Sequence, residues 1–149
     1  MRNLKISSSA FRSKEHIPVK YTGDGENISP PLTVENVPVG TKTLVLVVED
    51  PDAPFGVFVH WIVYNIPAHK TDFLEGEKLS YLCAKNDFGK FDYIGPSPPP
   101  GKPHRYYFKV YALDGELEIS EGSNKRELKK AMAGHVIDEA SHIGIYGCN

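Results

Sequence analysis

The hydrophobic positions of this chain form short runs that prolines and glycines separate, a pattern that favours strands over long helices. Twelve prolines and thirteen glycines interrupt the sequence. Residues 43–48 (Thr-Leu-Val-Leu-Val-Val) predict a strand that is buried on both faces. Residues 60–66, which Pro67 ends, and residues 105–113 predict two further strands.

The strand predicted over residues 105–113 has two different faces. Tyr106, Phe108, Val110 and Ala112 share one face, which is apolar enough to face a core. The opposite face mixes charged, aromatic and aliphatic residues and is expected to reach solvent in places. Earlier in the chain, residues 20–22 predict a short strand before the turn sequence Gly-Asp-Gly at 23–25.

One segment has a helical period. Asn124 is a candidate N-cap, and Glu127 three residues later completes a capping-box pattern. Apolar residues then recur at spacings of three and four, namely Leu128, Ala131, Met132, Val136 and Ala140. We expect the helix to end near Gly144, with residues 143–146 in a last short strand. The whole pattern predicts one domain, residues 1–149: a mainly β protein, a β-sandwich with one helix in the C-terminal region and proline-rich loops.

Composition and charge exclude some classes of function. The formal net charge is −2, from 17 basic and 19 acidic residues, so nothing indicates binding to nucleic acid. The longest apolar run, residues 44–48, is too short to span a membrane. The N-terminus has no signal-peptide pattern, which predicts a cytoplasmic protein. Cys83 and Cys148 match no metal spacing, and a disulfide between them stays open.

Candidate chemistry begins where the first buried strand ends, at Asp50-Pro51-Asp52-Ala53-Pro54. Two carboxylates spaced by two residues face the same side of an extended chain and raise each other's pKa unless a cation or donor separates them. The alternative is an ordinary polar strand end with turn prolines. His60 begins the next strand. Considered by itself, it is more typical of a hydrogen-bonded core histidine than of a catalyst.

The second candidate segment is a proline-rich loop that leads into the strand at residue 105. His104 and Tyr106 point to the same side of that strand, and Arg105 points away and suits a structural ion pair. Backbone amides of residues 95–101 and the Ser97 hydroxyl add possible donors to an anion. Prolines fix the backbone on both segments. Together they predict a rigid polar pocket for a small anion.

Two catalytic alternatives are weaker. Ser97, His104 and Asp50 contain the residue types of a catalytic triad, but no nucleophile elbow surrounds any serine. Asp50, Asp52, His60 and His104 contain the types of a metal site without a spacing that fixes its geometry. We therefore expect no cofactor, no metal and no enzymatic activity. The remaining histidines are expected on the surface or at caps: His16, His69, His135 and His142.

In combination, these segments resemble the phosphatidylethanolamine-binding protein family, also called the Raf kinase inhibitor protein family. The likeness runs from about Lys5 to Tyr146, and the short length and the strand at residues 60–63 (His-Trp-Ile-Val) are similar to the bacterial and archaeal branch. It rests on residues 29–32 (Ser-Pro-Pro-Leu), 50–54, 60–61 (His-Trp), 86–89 (Asn-Asp-Phe-Gly) and 95–106.

The resemblance implies a sandwich of two antiparallel sheets with an anion pocket at one end. The residues that it assigns to the pocket are Asp50, Asp52, His60, Ser97, Pro98, Pro99, His104 and Tyr106, with Asp52 partly structural. Family members bind phosphate, phosphoryl head groups or acetate. Val34 and Val59 stand where the family often has aromatic residues, which suggests an altered pocket width.

Three functions follow as hypotheses. The first is a phosphate-like anion receptor that regulates or inhibits a kinase or protease. The second is a protease inhibitor that docks through the proline-rich loop, and the third is a hydrolase that uses the histidines and aspartate. A homodimer is also expected from the resemblance, with candidate contact residues Phe91, Tyr93, Tyr107 and Tyr111.

Overall fold

A computed structural model describes residues 3–147 and is built on two β-sheets. The smaller sheet has three strands in the order β1-β3-β6, and the larger has six in the order β2-β9-β8-β4-β5-β7. Within the described residues every strand pair is antiparallel except β2 with β9. The strands are β1 (Lys5–Ser7), β2 (Glu15–His16), β3 (Leu32–Glu35), β4 (Thr43–Asp50), β5 (Phe58–Pro67), β6 (Asp72–Phe73), β7 (Leu82–Cys83), β8 (His104–Leu113) and β9 (Val136–Tyr146).

The central strand β4 is buried along its whole length because both of its faces are covered. Leu44, Leu46 and Val48 pack into the core between the two sheets. Val45 and Val47 point the other way, into a second core that includes residues of the helix. Burial on both faces explains why the β4 sequence is continuously apolar, as predicted.

The sandwich prediction is confirmed for the two sheets and for the apolar face of β8. The residues that were predicted to share that face all lie in the core between the sheets: Tyr106, Phe108, Val110 and Ala112. On the other face Tyr111 is buried, with 7% of its surface exposed, and packs in the second core. Tyr111 is therefore unsuited to the surface contact suggested for it.

The helix α1 (Lys125–Met132) starts as the capping box predicts but ends earlier. Asn124 Oδ1 accepts the Glu127 N–H at 3.1 Å, and Glu127 Oε1 accepts the Asn124 N–H at 3.2 Å. Gly134, with φ of +82°, then turns the chain. The prediction that the helix continues through Val136 and Ala140 is wrong, because the chain there pairs with β8 as strand β9.

Two smaller sequence predictions are wrong, and a third falls outside the described residues. Residues 20–22 are not a strand: Val19–Tyr21 form a 3₁₀ turn in which Tyr21 N–H donates to Pro18 O at 3.0 Å. His142 is not on the surface but buried in β9, where its Nε2 lies 2.9 Å from the Phe11 carbonyl oxygen. The suggested disulfide partner Cys148 lies outside the described residues. No helix in residues 3–147 has the length and apolarity to cross a membrane.

Candidate functional site

A cavity of about 280 Å³ opens at one end of the larger sheet, and we call it the strand-end pocket. It lies where β4 ends and its two antiparallel neighbours, β5 and β8, begin, so three strand ends meet there. A cavity of this size is at the small end for ligand sites. Its walls are Asp50, Ala53, Pro54, Phe58, His60, Phe88, Ser97, Pro98, Pro99, His104 and Tyr106.

Asp50 holds His104 in place at the centre of this pocket. The Asp50 side chain is 5% exposed, and its Oδ2 lies 2.6 Å from Nδ1 of His104. The other carboxylate oxygen, Oδ1, accepts the Asp52 backbone N–H at 2.8 Å. Because the acceptor of Nδ1 is a carboxylate, Nδ1 carries the proton and Nε2 is left for the cavity.

His60 is fixed by the protein backbone. Its Nδ1 lies 2.6 Å from the Ile94 carbonyl oxygen, which makes Nδ1 the donor. Burial lowers the pKa of His60, although the Ile94 carbonyl and the Asp50 charge act in the opposite direction. Within residues 3–147 no hydrogen bond reaches Nε2, so the neutral ring offers an acceptor to the pocket.

His60 owes its orientation to a β-bulge. Val48 pairs with Trp61 and Glu49 pairs with Val59, so His60 is the extra residue between these two pairs. Asn86 supports the bulge by donating from Nδ2 to the His60 carbonyl oxygen at 3.1 Å.

Tyr106 forms the floor of the pocket and is only 1% exposed. Its ring stacks on His104, with centroids 6.4 Å apart, and meets His60 edge-on at 5.4 Å. Burial, and then the neighbouring Asp50 carboxylate, raise the pKa of Tyr106 well above its usual value. The hydroxyl therefore stays protonated, with the Asp50 carboxylate as its hydrogen-bond partner.

The proline-rich loop supplies the remaining wall through Ser97, Pro98 and Pro99. Ser97 is exposed, and no hydrogen bond joins its hydroxyl to His104 within residues 3–147. The structure thus brings together the His104 and Asp50 of the possible triad without connecting Ser97 to them.

Asp52 is the one predicted pocket residue that does not line the cavity. Its carboxylate accepts bonds from Nε and Nη2 of Arg105, each at 2.9 Å, and from the Arg105 backbone N–H at 2.9 Å. The hydrogen bonds from Arg105 lower the pKa of Asp52 to about 2. Asp52 therefore braces the turn outside the pocket, and Arg105 makes the ion pair that its direction predicts.

Two aromatic walls were not found from the sequence. Phe58 and Phe88 line the pocket and contact each other edge-on, with centroids 4.8 Å apart. Phe58 has the same strand parity as His60, a signal that could have identified it. Phe88 lies on a turn that Asn86 shapes, because Asn86 Oδ1 accepts the Phe88 N–H at 3.0 Å.

The two valines that were expected to alter the pocket lie elsewhere. Val34 packs in the core between the sheets, and Val59 points into the second core. Neither lines the strand-end pocket, so the expectation of a changed width through them is wrong.

The described part of the chain has no cluster of side chains that could bind a metal ion. Over residues 3–147 no group of three or more His, Cys, Asp or Glu side chains has an arrangement that could hold a metal ion.

Three of the four histidines that were expected on the surface or at caps are exposed: His16, His69 and His135.

The family model of the phosphatidylethanolamine-binding proteins matches residues 7–147, nearly the whole chain. The chain belongs to the phosphatidylethanolamine-binding protein family. A UPF0098 protein of Pyrococcus horikoshii is 45% identical over 153 residues, which cover 97% of this chain and 76% of that protein. A UPF0098 protein of Methanothermobacter thermautotrophicus is 42% identical, with 96% of this chain and 98% of that protein covered.

Solved structures support the same assignment. A homologue of the phosphatidylethanolamine-binding proteins from Chlamydia trachomatis superposes with a TM-score of 0.94 at 40% identity, over 100% of both chains. A protein from E. coli described as a new member of the mammalian family gives a TM-score of 0.90 at 30% identity, over 99% of this chain and 100% of that one. The family is therefore shown, and with it the two-sheet fold, which has a single α-helix within residues 3–147.

Proposed function

We propose that this protein is a receptor for a small oxyanion, such as phosphate or a phosphoryl group, and that it does not turn this ligand over. The observation that carries the proposal is the fixed pair of histidines. Asp50 orients His104 and the Ile94 carbonyl orients His60, so each ring has Nε2 left for a ligand.

His104 is the anion-binding partner. In its protonated form, Nδ1 donates to Asp50 while Nε2 donates to a ligand oxygen. The buried Asp50 carboxylate balances the charge of this imidazolium. The Ser97 hydroxyl is a further donor at the same cavity, and the Tyr106 hydroxyl lies beside Asp50.

His60 adds a requirement for a protonated ligand oxygen. Its Nδ1 proton already belongs to the Ile94 carbonyl, and burial keeps the ring neutral, so Nε2 accepts a hydrogen bond. A fully deprotonated oxyanion has no proton to give there. A phosphomonoester with one proton, the form present below about pH 6, satisfies both histidines.

The small cavity volume suits one such group and little more. We propose that a kinase or protease is the regulated partner and that it contacts the rim of the pocket. The exposed Phe55 next to Ala53 and Pro54 supports a contact there, as does the exposed proline-rich loop. The rigid loop loses little entropy on docking, which keeps protease inhibition as a form of the same proposal.

The test is a titration of the folded protein with inorganic phosphate, followed by the histidine resonances in NMR spectra. We expect the His60 and His104 signals to shift at millimolar phosphate and the affinity to weaken as pH rises above about 6 to 7. His104→Ala should reduce the affinity at least tenfold, or about 1.4 kcal/mol. His135→Ala is the matched control, because His135 is also paired with an aspartate but lies away from the pocket.

Two results would overturn the proposal. One is a set of pocket histidine signals that do not move with phosphate. The other is an equal loss of affinity in the His104→Ala and His135→Ala proteins, both shown to be folded by circular dichroism.

A further inference from the structure

A second and larger cavity, of about 570 Å³, is lined by residues next in sequence to His60 and to its carbonyl partner. We call it the tryptophan cavity. Trp61 follows His60 on β5, and Tyr93 precedes Ile94, the acceptor of His60 Nδ1. The lining residues that carry the argument are Ser29, Trp61, Glu77, Phe91, Asp92 and Tyr93.

Two polar groups of this cavity are unpartnered although their residues are more than nine-tenths buried. Trp61 is 6% exposed and Ser29 is 7% exposed. In residues 3–147, no hydrogen bond is made by Trp61 Nε1 or Ser29 Oγ, and neither atom is among those sealed from solvent. Because solvent reaches both atoms, the indole N–H and the hydroxyl of these two lining residues are available to a ligand or to water.

Aromatic rings form a corner in the same cavity. The Trp61 and Tyr93 rings are perpendicular, at 86°, with centroids 5.5 Å apart. Phe91, which is 41% exposed, stands at the opening. The faces of such rings attract a cation, and tryptophan does so most strongly.

The charged side chains around this cavity favour a cation as well. Asp92, Glu77 and Lys78 line it, and Glu77 is already paired with Lys70, whose Nζ lies 2.7 Å from its Oε2. Within residues 3–147, Asp92 is therefore the lining acid that no ion pair neutralises. An adjoining hollow shares Cys83, Phe91 and Asp92 and adds Glu121. Burial, and then the Asp92 and Glu121 charges, raise the pKa of Cys83 to about 11, which is consistent with a negative potential at the junction.

We propose that the tryptophan cavity binds a small organic cation, a primary amine with a short apolar body and a hydrogen-bond acceptor. The ammonium group lies against the aromatic corner and Asp92, and the acceptor takes the Trp61 Nε1 hydrogen. Ser29 Oγ completes the polar contacts. The strand-end pocket, with its protonatable histidine, takes a ligand of the opposite charge.

The test uses the indole signal of Trp61, the one tryptophan in the chain, in ¹H–¹⁵N spectra of the whole protein. Three ligands of matched shape are titrated: leucinamide as the cation, 2,4-dimethylpentanamide, in which a methyl group replaces the ammonium, as its neutral isostere, and 2,4-dimethylpentanoate as the anion. We expect leucinamide to shift the indole signal at the lowest concentration, the neutral amide to bind about three- to tenfold more weakly, and the anion to bind least.

Variants separate this site from the other one. Asp92→Asn should weaken leucinamide binding about three- to tenfold, because it removes the charge without changing the side-chain shape. Glu116→Gln is the matched control, an exposed charge change that lines neither cavity. His104→Ala should leave leucinamide binding unchanged, so a failure of the oxyanion proposal does not decide this one.

The proposal is overturned if leucinamide leaves the indole signal unmoved, or if the three ligands bind equally. An Asp92→Asn protein that binds leucinamide as tightly as the Glu116→Gln protein also overturns it.

Discussion

Residues 3–147 contain two histidine–aspartate pairs whose chemistry is the same and whose surroundings are opposite. His104 and Asp50 lie in the strand-end pocket with side-chain exposures of 12% and 5%. His135 and Asp114 lie at the far end of β8, with exposures of 56% and 51%. The Nδ1 to Oδ distances are similar, 2.6 Å and 2.9 Å.

The difference lies in what else holds each aspartate. Asp50 also accepts the Asp52 backbone N–H and lies beside the Tyr106 hydroxyl, so its carboxylate is part of a buried network. Asp114 is surrounded by water, which screens its attraction to His135. A short histidine–aspartate distance therefore indicates a binding site only where burial fixes both the imidazole ring and the carboxylate of the pair.

Replacing the two aspartates separately gives the largest expected contrast. Asp50→Asn replaces one acceptor oxygen with an NH₂ group, which opposes either the Asp52 N–H or the His104 Nδ1 proton. We expect a loss of about 2 kcal/mol in the free energy of unfolding and the loss of phosphate binding. Urea denaturation measures the first effect and the phosphate titration measures the second.

Asp114→Asn is the control for this contrast. It should change the free energy of unfolding by no more than about 0.5 kcal/mol and leave phosphate binding unchanged. Equal losses in the two variants would show that burial does not distinguish the pairs.

Acidification extends the comparison to the buried histidines that bond to carbonyl groups instead of carboxylates. Burial lowers the pKa values of His60 and His142 in the folded protein. Unfolded chains bind protons to these rings at higher pH, so the stabilising contribution is complete above about pH 6.5 and is lost as pH falls toward the folded values. We expect the melting temperature to fall when the pH is lowered from 7 to 5.5. This fall should be smaller than the decrease that the Asp50→Asn substitution causes.

His142→Gln should reduce that pH dependence, because a glutamine side chain can still donate to the Phe11 carbonyl oxygen but does not titrate in this range. His16→Gln, a change of an exposed histidine, is the control and should leave the pH dependence as it is. A steeper fall with acid in the His142→Gln protein would contradict the assignment.

The sequence predicted the parts of the fold that follow a simple period. β4, β5 and β8 are long enough for their apolar patterns to show, and the capping box at Asn124 identified the start of α1. The last four residues of β9, 143–146, were predicted as a strand. Its first part was missed because Val136 and Ala140 continue the helical spacing, while alternate residues of the same segment also face the core. Pairing with β8 decides between the two periods, and that contact is not local in sequence.

Most pocket residues were predictable because they lie at strand ends beside prolines. The bulge at His60 could not be predicted, because the extra residue is defined only by the pairing of β5 with β4. The roles of Asn86 and Phe88 depend on the same pairing. Asp52 was included with the pocket residues on the resemblance, as a partly structural member. Two carboxylates spaced by two residues share a side only while the chain stays extended. β4 ends at Asp50, and the turn that follows directs Asp52 to Arg105.

Asp52 gives the smallest expected effect and the most discriminating test of the comparison. It lies two residues from Asp50 but outside the buried network of that carboxylate. Its side chain is 29% exposed and that of Arg105 is 52% exposed, so salt screens the pair. We expect Asp52→Asn to cost less than about 1 kcal/mol in the free energy of unfolding. Its phosphate affinity should stay within about twofold of the original protein.

The same variant has a defined dependence on pH and salt. With a pKa of about 2 in the folded protein against 3.8 ordinarily, the Asp52 carboxylate contributes stability above about pH 4 and loses it as pH falls through 2. The difference between Asp52→Asn and the original protein should therefore shrink in acid, and also in 1 M NaCl at pH 7. If Asp52→Asn instead matched Asp50→Asn in stability and in phosphate binding, position in the Asp-Pro-Asp block rather than burial would govern the site.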